Sequence, residues 1–376
     1  MLCKPPVMNI GFISNWCNRG QGIVTRQIRA IFAEAGHDTY VLARPTRTRA
    51  AMPNLIDSRQ EWQVPHLTHG SAYDMPIEEY VAWAKQSALD VLFCDMNMQF
   101  EAIVAIRKLG VRTIGRFVWE AFHPDYVAAV KQAYDIVYSL TRCEQENYRK
   151  MGISSPYVRF GLAPSLTAFS SLKRPDDALY FFFHGGTQGT RKPIQATLKA
   201  FKQVKNPHIR MIIKSQCVDK GSEPVIIEDD PRITHIVADL PFEEHRRLFS
   251  SCHVCLCPSR WEGLGVHLFE ALAYGMPVIS NDIAPINEVI RHGRSGLLVR
   301  SFSKRKNRCG LPIFEPDEGH LRECIEELSN PVRLAALMAS TREEAKQFDW
   351  ALTRQDYLEL ATCTRENLSR KQKNDG

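Results

Sequence analysis

Two glutamates, Glu262 and Glu270, stand eight residues apart in the run PSRWEGLGVHLFEALAYGMPVISND, between Pro258 and Asp282. The turn Gly263-Leu264-Gly265 between them reads as the opening of a helix, because its glycines permit positive φ and let a ligand approach the backbone. The pattern predicts a helix over Val266 to Tyr274, stopped by Gly275 and Pro277, and then a buried strand at Val278-Ile279-Ser280. One carboxylate therefore precedes the helix and the other lies inside it, on the order of 10 Å away at about 1.5 Å of rise per residue. The unpaired N–H groups of the helix start offer an anion site between the two acids. An extended ligand with hydroxyls at both ends and a charged middle suits this spacing. A nucleotide sugar, with its sugar hydroxyls, diphosphate and ribose diol, has that form.

Phosphates also call for cations, and a second stretch supplies them. His184-Gly185-Gly186-Thr187-Gln188-Gly189-Thr190-Arg191-Lys192-Pro193 follows an apolar strand pattern and leads into a helix. Two cations at the positive end of a helix are electrostatically disfavoured, and an anion between them would resolve the conflict. Closer to the N-terminus, Asn18-Arg19-Gly20-Gln21-Gly22 forms a polar turn between a strand and a helix. The chain has neither a G-x-G-x-x-G fingerprint nor a Walker lysine motif, which disfavours dinucleotide and ATP binding.

The full run from Pro258 to Ile279 resembles the signature of the retaining GT-B glycosyltransferases known as glycosyltransferase group 1, or family 4. That resemblance implies a nucleotide-sugar donor and transfer with retention at the anomeric carbon. It implies no metal and no cofactor, and no Asp-x-Asp motif of the metal-dependent kind is present. Glu262 would orient sugar hydroxyls and Glu270 the ribose diol. Gly263, Leu264 and Gly265 would face the donor. In the family the loop after the first strand of the second domain carries Gly-Arg and then a lysine five residues on. Here Gly186 and Lys192 match, but Thr187 stands where the arginine is expected, and Arg191 is the candidate replacement. Gly20, Gln21 and Gly22 correspond to the family's glycine-rich loop beside the donor. The segment Ala238 to Pro241, with Leu240, would meet the base through its backbone. On the acceptor side, Asn97 follows one strand end, and Trp119, Glu120 and His123 follow another. His123 or Glu120 would take the acceptor's proton, and Trp119 offers a face for sugar stacking.

The elements required to hold these residues are also visible in the sequence. Asn9 to Ser14, Thr39 to Ala43, Val91 to Cys94, Arg112 to Phe117 and Ile136 to Ser139 read as strands, with helices at Ile23 to Ala35, Glu101 to Leu109 and Asp125 to Ala133. The pattern loosens over Gly161 to Leu172 and then restarts. Strands follow at Tyr180 to His184, Arg210 to Lys214, Ile233 to Val237, His253 to Cys257 and Pro277 to Ser280, with helices at Pro193 to Lys202 and Phe242 to Ser250. The expectation is an α/β protein of GT-B type with two Rossmann-like, doubly wound parallel sheets facing across a cleft. The domains are expected at residues 1–168 (acceptor), 169–348 (nucleotide sugar) and 349–376. The last contains a helix over about Ala351 to Leu368 that crosses back to the first domain, as the resemblance implies.

Composition narrows the class further. The 376 residues exceed one ordinary domain, and 44% hydrophobic with 24% charged residues is normal for a globular chain. Eleven cysteines, an odd number, argue against a disulfide framework and for a reducing cytoplasm. Cys252, Cys255 and Cys257 fall in a strand pattern without a second ligand pair, so they read as core thiols. No segment reaches 18 apolar residues, and the start of the chain reads as a first strand rather than a leader. Two basic clusters, Arg44, Arg47 and Arg49, then Arg300, Lys304, Arg305, Lys306 and Arg308, read as loops. They point to an anionic acceptor such as a phosphorylated lipid, a polyanionic glycan or nucleic acid, with peripheral membrane contact as another use. A DNA-modifying glycosyltransferase is one alternative. A catalytically silent nucleotide-sugar-binding protein is another, suggested by Thr187.

Overall fold

The computed structural model describes residues 6–169, 174, 177–218, 225, 230–307 and 309–362. Its chain falls into two compact units, residues 1–160 with 351–376, and residues 161–350.

The first unit runs β1 (Asn9–Asn15), α1 (Gly20–Glu34), β2 (Asp38–Arg44), β3 (Leu67–His69), α2 (Ile77–Gln86), β4 (Val91–Asp95), α3 (Phe100–Arg107), β5 (Arg112–Arg116), α4 (Val127–Ala133), β6 (Ile136–Val137) and α5 (Arg142–Lys150). All six strands are parallel, in the order β3-β2-β1-β4-β5-β6. The order reverses between β1 and β4, whose carboxyl ends are Asn15 and Asp95. Ligands of such sheets bind outside that switch point. β1 and β4 are buried along nearly their whole length, as expected of central parallel strands covered on both faces.

The helix after β1 begins at Gly20, earlier than expected, so Gly20, Gln21 and Gly22 form its first turn rather than a loop. A glycine is required at position 22, because a Cβ there would lie 2.4 Å from the Cys17 carbonyl oxygen and 2.8 Å from that of Asn15.

The second unit runs α6 (Pro164–Thr167), β7 (Leu179–Gly186), α7 (Ile194–Gln203), β8 (Ile209–Ser215), β9 (Ile233–Val237), α8 (Phe242–Ser250), β10 (Val254–Leu256), α9 (Val266–Ala273), β11 (Val278–Asn281), α10 (Ile286–Val289), β12 (Gly296–Val299), β13 (Ser301–Lys306), β14 (Pro312–Pro316), α11 (Glu318–Leu328) and α12 (Pro331–Ala345). Its parallel sheet has the order β12-β11-β10-β7-β8-β9 and switches between β7 and β10. The core joins Phe181 and Phe183 of β7, Met211 and Ile213 of β8 and Leu256 of β10 to Leu198 and Phe201 of α7 and Ile325 and Leu328 of α11.

One expectation fails in this unit. Residues 301–306 are a strand, not a loop, and pair antiparallel with β14. The helical end of the chain is broken at Asn330 as well as near Phe348. The Asn330 side chain caps α12 by accepting from the Val332 and Arg333 N–H groups, and Pro331 takes the first helical position.

The last described helix, α13 (Trp350–Thr362), belongs to the first unit. Its Tyr357 ring lies 6.3 Å from that of Phe93 and 5.6 Å from that of Tyr138, and its Asp356 accepts from Arg159 Nε at 2.7 Å. No helix among the described residues is long and apolar enough to cross a membrane.

Candidate functional site

The switch point of the second sheet gathers the chemistry predicted from the sequence. Lys192 arrives on the loop after β7, just ahead of α7. Glu262 arrives on the loop after β10, and α9 follows it. The Lys192 ammonium donates to Glu262 Oε1 at 2.6 Å, Ser259 Oγ at 2.8 Å and Cys257 Sγ at 3.3 Å. Arg191 Nη1 donates to Glu262 Oε2 at 3.4 Å. Glu262 is thus the anion between the two cations at the start of α7. The Arg191 side chain is 38% exposed and that of Lys192 11%, so Arg191 forms the solvent edge of the cluster.

Backbone and neighbouring strands hold these loops. Asn281, at the end of β11, donates from Nδ2 to the Ser259 carbonyl at 3.0 Å and to that of Pro258 at 3.3 Å. Ser280 Oγ donates to the Cys257 carbonyl. Arg260 ties the two loops together: its N–H donates to the Arg191 carbonyl at 2.9 Å and its Nη1 to the Thr190 carbonyl at 2.7 Å. Arg260 Nε also pairs with Glu315 of β14 at 2.8 Å, which fastens the β13–β14 hairpin to the loops. Gly265 caps α9 at φ +77°, in the left-handed region that favours glycine.

Burial alone would raise the Glu262 carboxyl. The Lys192 ammonium, followed by His267 and Arg191, outweighs burial and holds it well below the ordinary carboxylate range. The Lys192 ammonium is raised in turn, because Cys257 and Glu262 more than offset its desolvation. Glu270 behaves in the opposite way. Burial pushes it up to about 7, against a weaker pull from His267. The two glutamates of one signature are therefore shifted in opposite directions.

Cys257 is buried, as expected of a core thiol, but it is engaged by polar neighbours. β10 ends at Leu256, one residue short of the predicted strand. Cys257 Sγ lies 2.9 Å from His267 Nε2 and 3.2 Å from Ser259 Oγ. Burial would raise the thiol, but His267 and Lys192 outweigh it and bring it to about 7. Cys257, Glu262 and His267 each offer a metal-ligating atom, and the three atoms lie within 4.8 Å of one another.

The remaining donor-side candidates flank this cluster. Gly186 ends β7 at φ +57°, and its carbonyl accepts from the Gln216 N–H at 2.6 Å. Thr187 is half-buried in the following turn. Gly263 and Leu264 are buried between Glu262 and α9. Leu240 is half-buried in the segment after β9, which Lys214 pins in place: its ammonium donates to the Ser215 carbonyl at 2.9 Å and to that of Ala238.

In the first unit, Gln21 Nε2 donates to the Asp95 carbonyl at 2.9 Å. Asn97 is buried and engaged, with Nδ2 donating to Tyr80 Oη at 3.3 Å and Oδ1 accepting from the Gln99 N–H at 2.9 Å. Trp119 and Glu120 lie in a short 3₁₀ turn after β5, half-buried and buried respectively. His123 is 45% exposed and lies 3.1 Å from an Asp125 carboxylate oxygen.

The basic clusters need correction. Arg44 is buried, not a surface cation: its Nε donates to the Tyr73 carbonyl at 2.9 Å and its guanidinium stacks on the Tyr73 ring at 4.0 Å. Arg47 stacks on the same ring at 4.4 Å. Arg305 and Lys306 lie on β13, where Arg305 Nη2 pairs with Glu315 Oε1 at 3.0 Å. Lys304 lies on that strand too, its side chain outside the described residues, as is Arg308.

Sequence reading missed Ser259, His267 and Lys214. His267 had a usable signal, since it lies five residues after Glu262 and in the first turn of the same predicted helix.

Comparison with known proteins agrees with this architecture. Residues 178–306 match the family model described as glycosyl transferases group 1. D-inositol 3-phosphate glycosyltransferase of Thermobispora bispora is 26% identical over 223 residues, 56% of this chain and 49% of that protein. Alpha-maltose-1-phosphate synthase of Mycolicibacterium smegmatis is 32% identical over 123 residues, 32% of this chain and 30% of that one. The matches to D-inositol 3-phosphate glycosyltransferases at the head of the comparison span 49% and 43% of those proteins' lengths. Among solved structures, sucrose-phosphate synthase from Thermosynechococcus elongatus superposes with a TM-score of 0.66 at 17% identity, covering 98% of this chain and 99% of that one. HepE of Anabaena, solved with UDP and glucose, superposes with a TM-score of 0.70 at 14% identity, covering 95% and 100%. The fold is that of these GT-B proteins.

Proposed function

We propose that this chain acts as a glycosyl transferase of group 1, the family whose model matches residues 178–306, and that it moves a sugar from a nucleotide-diphosphate sugar to an acceptor, with retention and without a metal. The observation that carries the reading is the Arg191–Lys192–Glu262 cluster at the carboxyl ends of β7 and β10. There two cations share one carboxylate, and a second, neutral-leaning carboxyl lies on α9. When the glycosidic bond breaks, negative charge grows on the departing diphosphate. Preorganised cations and N–H groups stabilise that charge where it develops. Lys192 and Arg191 would turn to the phosphates, freeing Glu262 to accept from sugar hydroxyls. Glu270 would meet the ribose diol, and the backbone around Leu240 the base. Arg191 stands in for the arginine absent at Thr187.

UDP is the favoured nucleotide because HepE was solved with UDP and with UDP-glucose. The acceptor is proposed to carry phosphate. The names of three similar proteins contain a phosphorylated polyol or sugar, and exposed Arg300, with Lys306, gives this chain cations near β12 and β13. His123 or Glu120 would receive the acceptor's proton. A reducing compartment such as the cytoplasm fits the odd count of eleven cysteines.

The test is incubation with a panel of nucleotide sugars and phosphorylated acceptors, with proton NMR of the product. An axial anomeric linkage from an axial donor, formed in chelator, supports the reading. Donor binding without transfer to any acceptor would instead support the silent binding protein, and no donor binding would overturn both.

A further inference from the structure

The cation cage around Lys192 holds an unusual set of donors. Glu262 Oε1 and Ser259 Oγ supply hard oxygens, and Cys257 supplies sulfur with His267 nitrogen beside it. The Lys192 ammonium sits within hydrogen-bond reach of carboxylate, hydroxyl and thiol, at 2.6, 2.8 and 3.3 Å. A cation thus already sits within hydrogen-bond reach of two of the three candidate ligands, Glu262 and Cys257. Around it, Cys257 Sγ and His267 Nε2 are 2.9 Å apart, and His267 Nε2 and Glu262 Oε1 are 4.0 Å apart. Adjacent ligands of tetrahedral zinc lie about 3.3–3.6 Å apart, as follows from bonds of about 2.0–2.3 Å. The first separation would therefore open and the second close by roughly half an ångström, while the third, between Cys257 and Glu262, is at most 4.8 Å. Three protein ligands with one open position is the ligand count of zinc sites that exchange water.

We propose that Cys257, Glu262 and His267 form an inhibitory site for a thiophilic divalent cation such as Zn²⁺, which takes the place of the Lys192 ammonium. The thiol releases its proton to solvent as the metal–sulfur bond forms, and Lys192 leaves the cage with its charge intact. A thiolate ligand selects soft and borderline ions over Mg²⁺. Occupation removes Glu262 from the sugar and screens the phosphates from Lys192, so metal and donor exclude one another. The metal site stands on geometry alone, and only its effect on the donor rests on the function proposed above.

The experiment uses the full chain, reduced and freed of metal, titrated with Co²⁺ as a spectroscopic probe and then with Zn²⁺. The expected result is a Co²⁺–thiolate charge-transfer band that saturates at one equivalent and is bleached by Zn²⁺ but not by Mg²⁺. Cys257→Ser and His267→Gln should each lose the band, with folding checked by circular dichroism. UDP should weaken the apparent metal affinity at least tenfold, and Zn²⁺ should weaken that of UDP by the same factor, as linkage requires. A band that survives Cys257→Ser, or none at equimolar metal, overturns the site. A band lost in both variants but indifferent to UDP overturns the competition with the donor.

Discussion

Each of the two sheets carries a buried cluster of charge at its strand ends, and the two clusters have opposite balance. In the first unit Arg116 of β5 faces two acids. Its Nη1 lies 3.5 Å from Asp95 Oδ2 and its Nε 3.8 Å from Glu144 Oε2, and all three side chains are almost completely buried. In the second unit one acid, Glu262, faces Lys192 and Arg191. Where acids outnumber the cation, burial wins: it raises Asp95 to about 6 and Glu144 to about 7 despite Arg116. Where cations outnumber the acid, attraction wins and Glu262 is held low. The first cluster favours proton uptake. In the proposed function, the second exchanges its carboxylate for the donor diphosphate.

Breaking the balance in the first unit should have the largest effect. Arg116→Met strands two buried acids, and losing one partner of a buried ion pair costs about 3–5 kcal/mol. Urea unfolding at pH 8 should show that loss, and it should shrink at pH 5, where both acids can bind protons. An equal loss at the two pH values would mean the acids do not carry the cost.

Removing one acid from each cluster should then act in opposite directions. Glu262→Gln leaves Lys192 and Arg191 without their anion and should destabilise the protein by about 3 kcal/mol at pH 8. Glu144→Gln removes a carboxylate that the folded state disfavours and should be neutral or stabilising in the same titration.

The pH dependence sharpens the contrast. Folding raises Glu144 from 4.5 to about 7 and Asp95 from 3.8 to about 6. The folded state therefore binds more protons than the unfolded state between these values. Stability from this cluster is complete below about pH 4 and is lost as pH rises through 7, with each unit of displacement worth about 1.4 kcal/mol. Glu144→Gln should flatten that slope between pH 5 and 8, as read by thermal melts. A slope unchanged in the variant would assign it to other groups.

The smallest effect belongs to the hairpin. Arg305 is 67% exposed and shares Glu315 with Arg260, so Arg305→Ala should cost less than about 1 kcal/mol. Glu315→Ala, which also releases the β13–β14 hairpin from Arg260 and its loop, should cost more and should weaken nucleotide binding.

The sequence made the second cluster readable and hid the first. Glu262, the Gly-x-Gly turn and Lys192 lie at local spacings that a helix and its preceding loop must honour, so their meeting could be anticipated. Asp95, Arg116 and Glu144 come from two strand ends and a helix, and nothing local marks them as partners. Arg44 was misjudged for the same reason: its burial depends on Tyr73, 29 residues further along. The hairpin was misread because Lys304-Arg305-Lys306-Asn307 lacks the alternation of a half-buried strand, although backbone pairing with Pro312–Pro316 forms one. Cys257 was misplaced by a single residue. Its strand stops at Leu256, which turns an apparent core thiol towards His267.

The central claim is that Lys192 gives up Glu262 for the donor's diphosphate. Calorimetric titration of UDP and of uridine into the wild-type chain and Lys192→Met tests it directly. Hydrogen bonds to charged groups contribute about 1.5–3 kcal/mol, so the variant should bind UDP roughly 10- to 100-fold more weakly while its affinity for uridine is unchanged. UDP binding as tight in Lys192→Met as in the wild type would contradict the account.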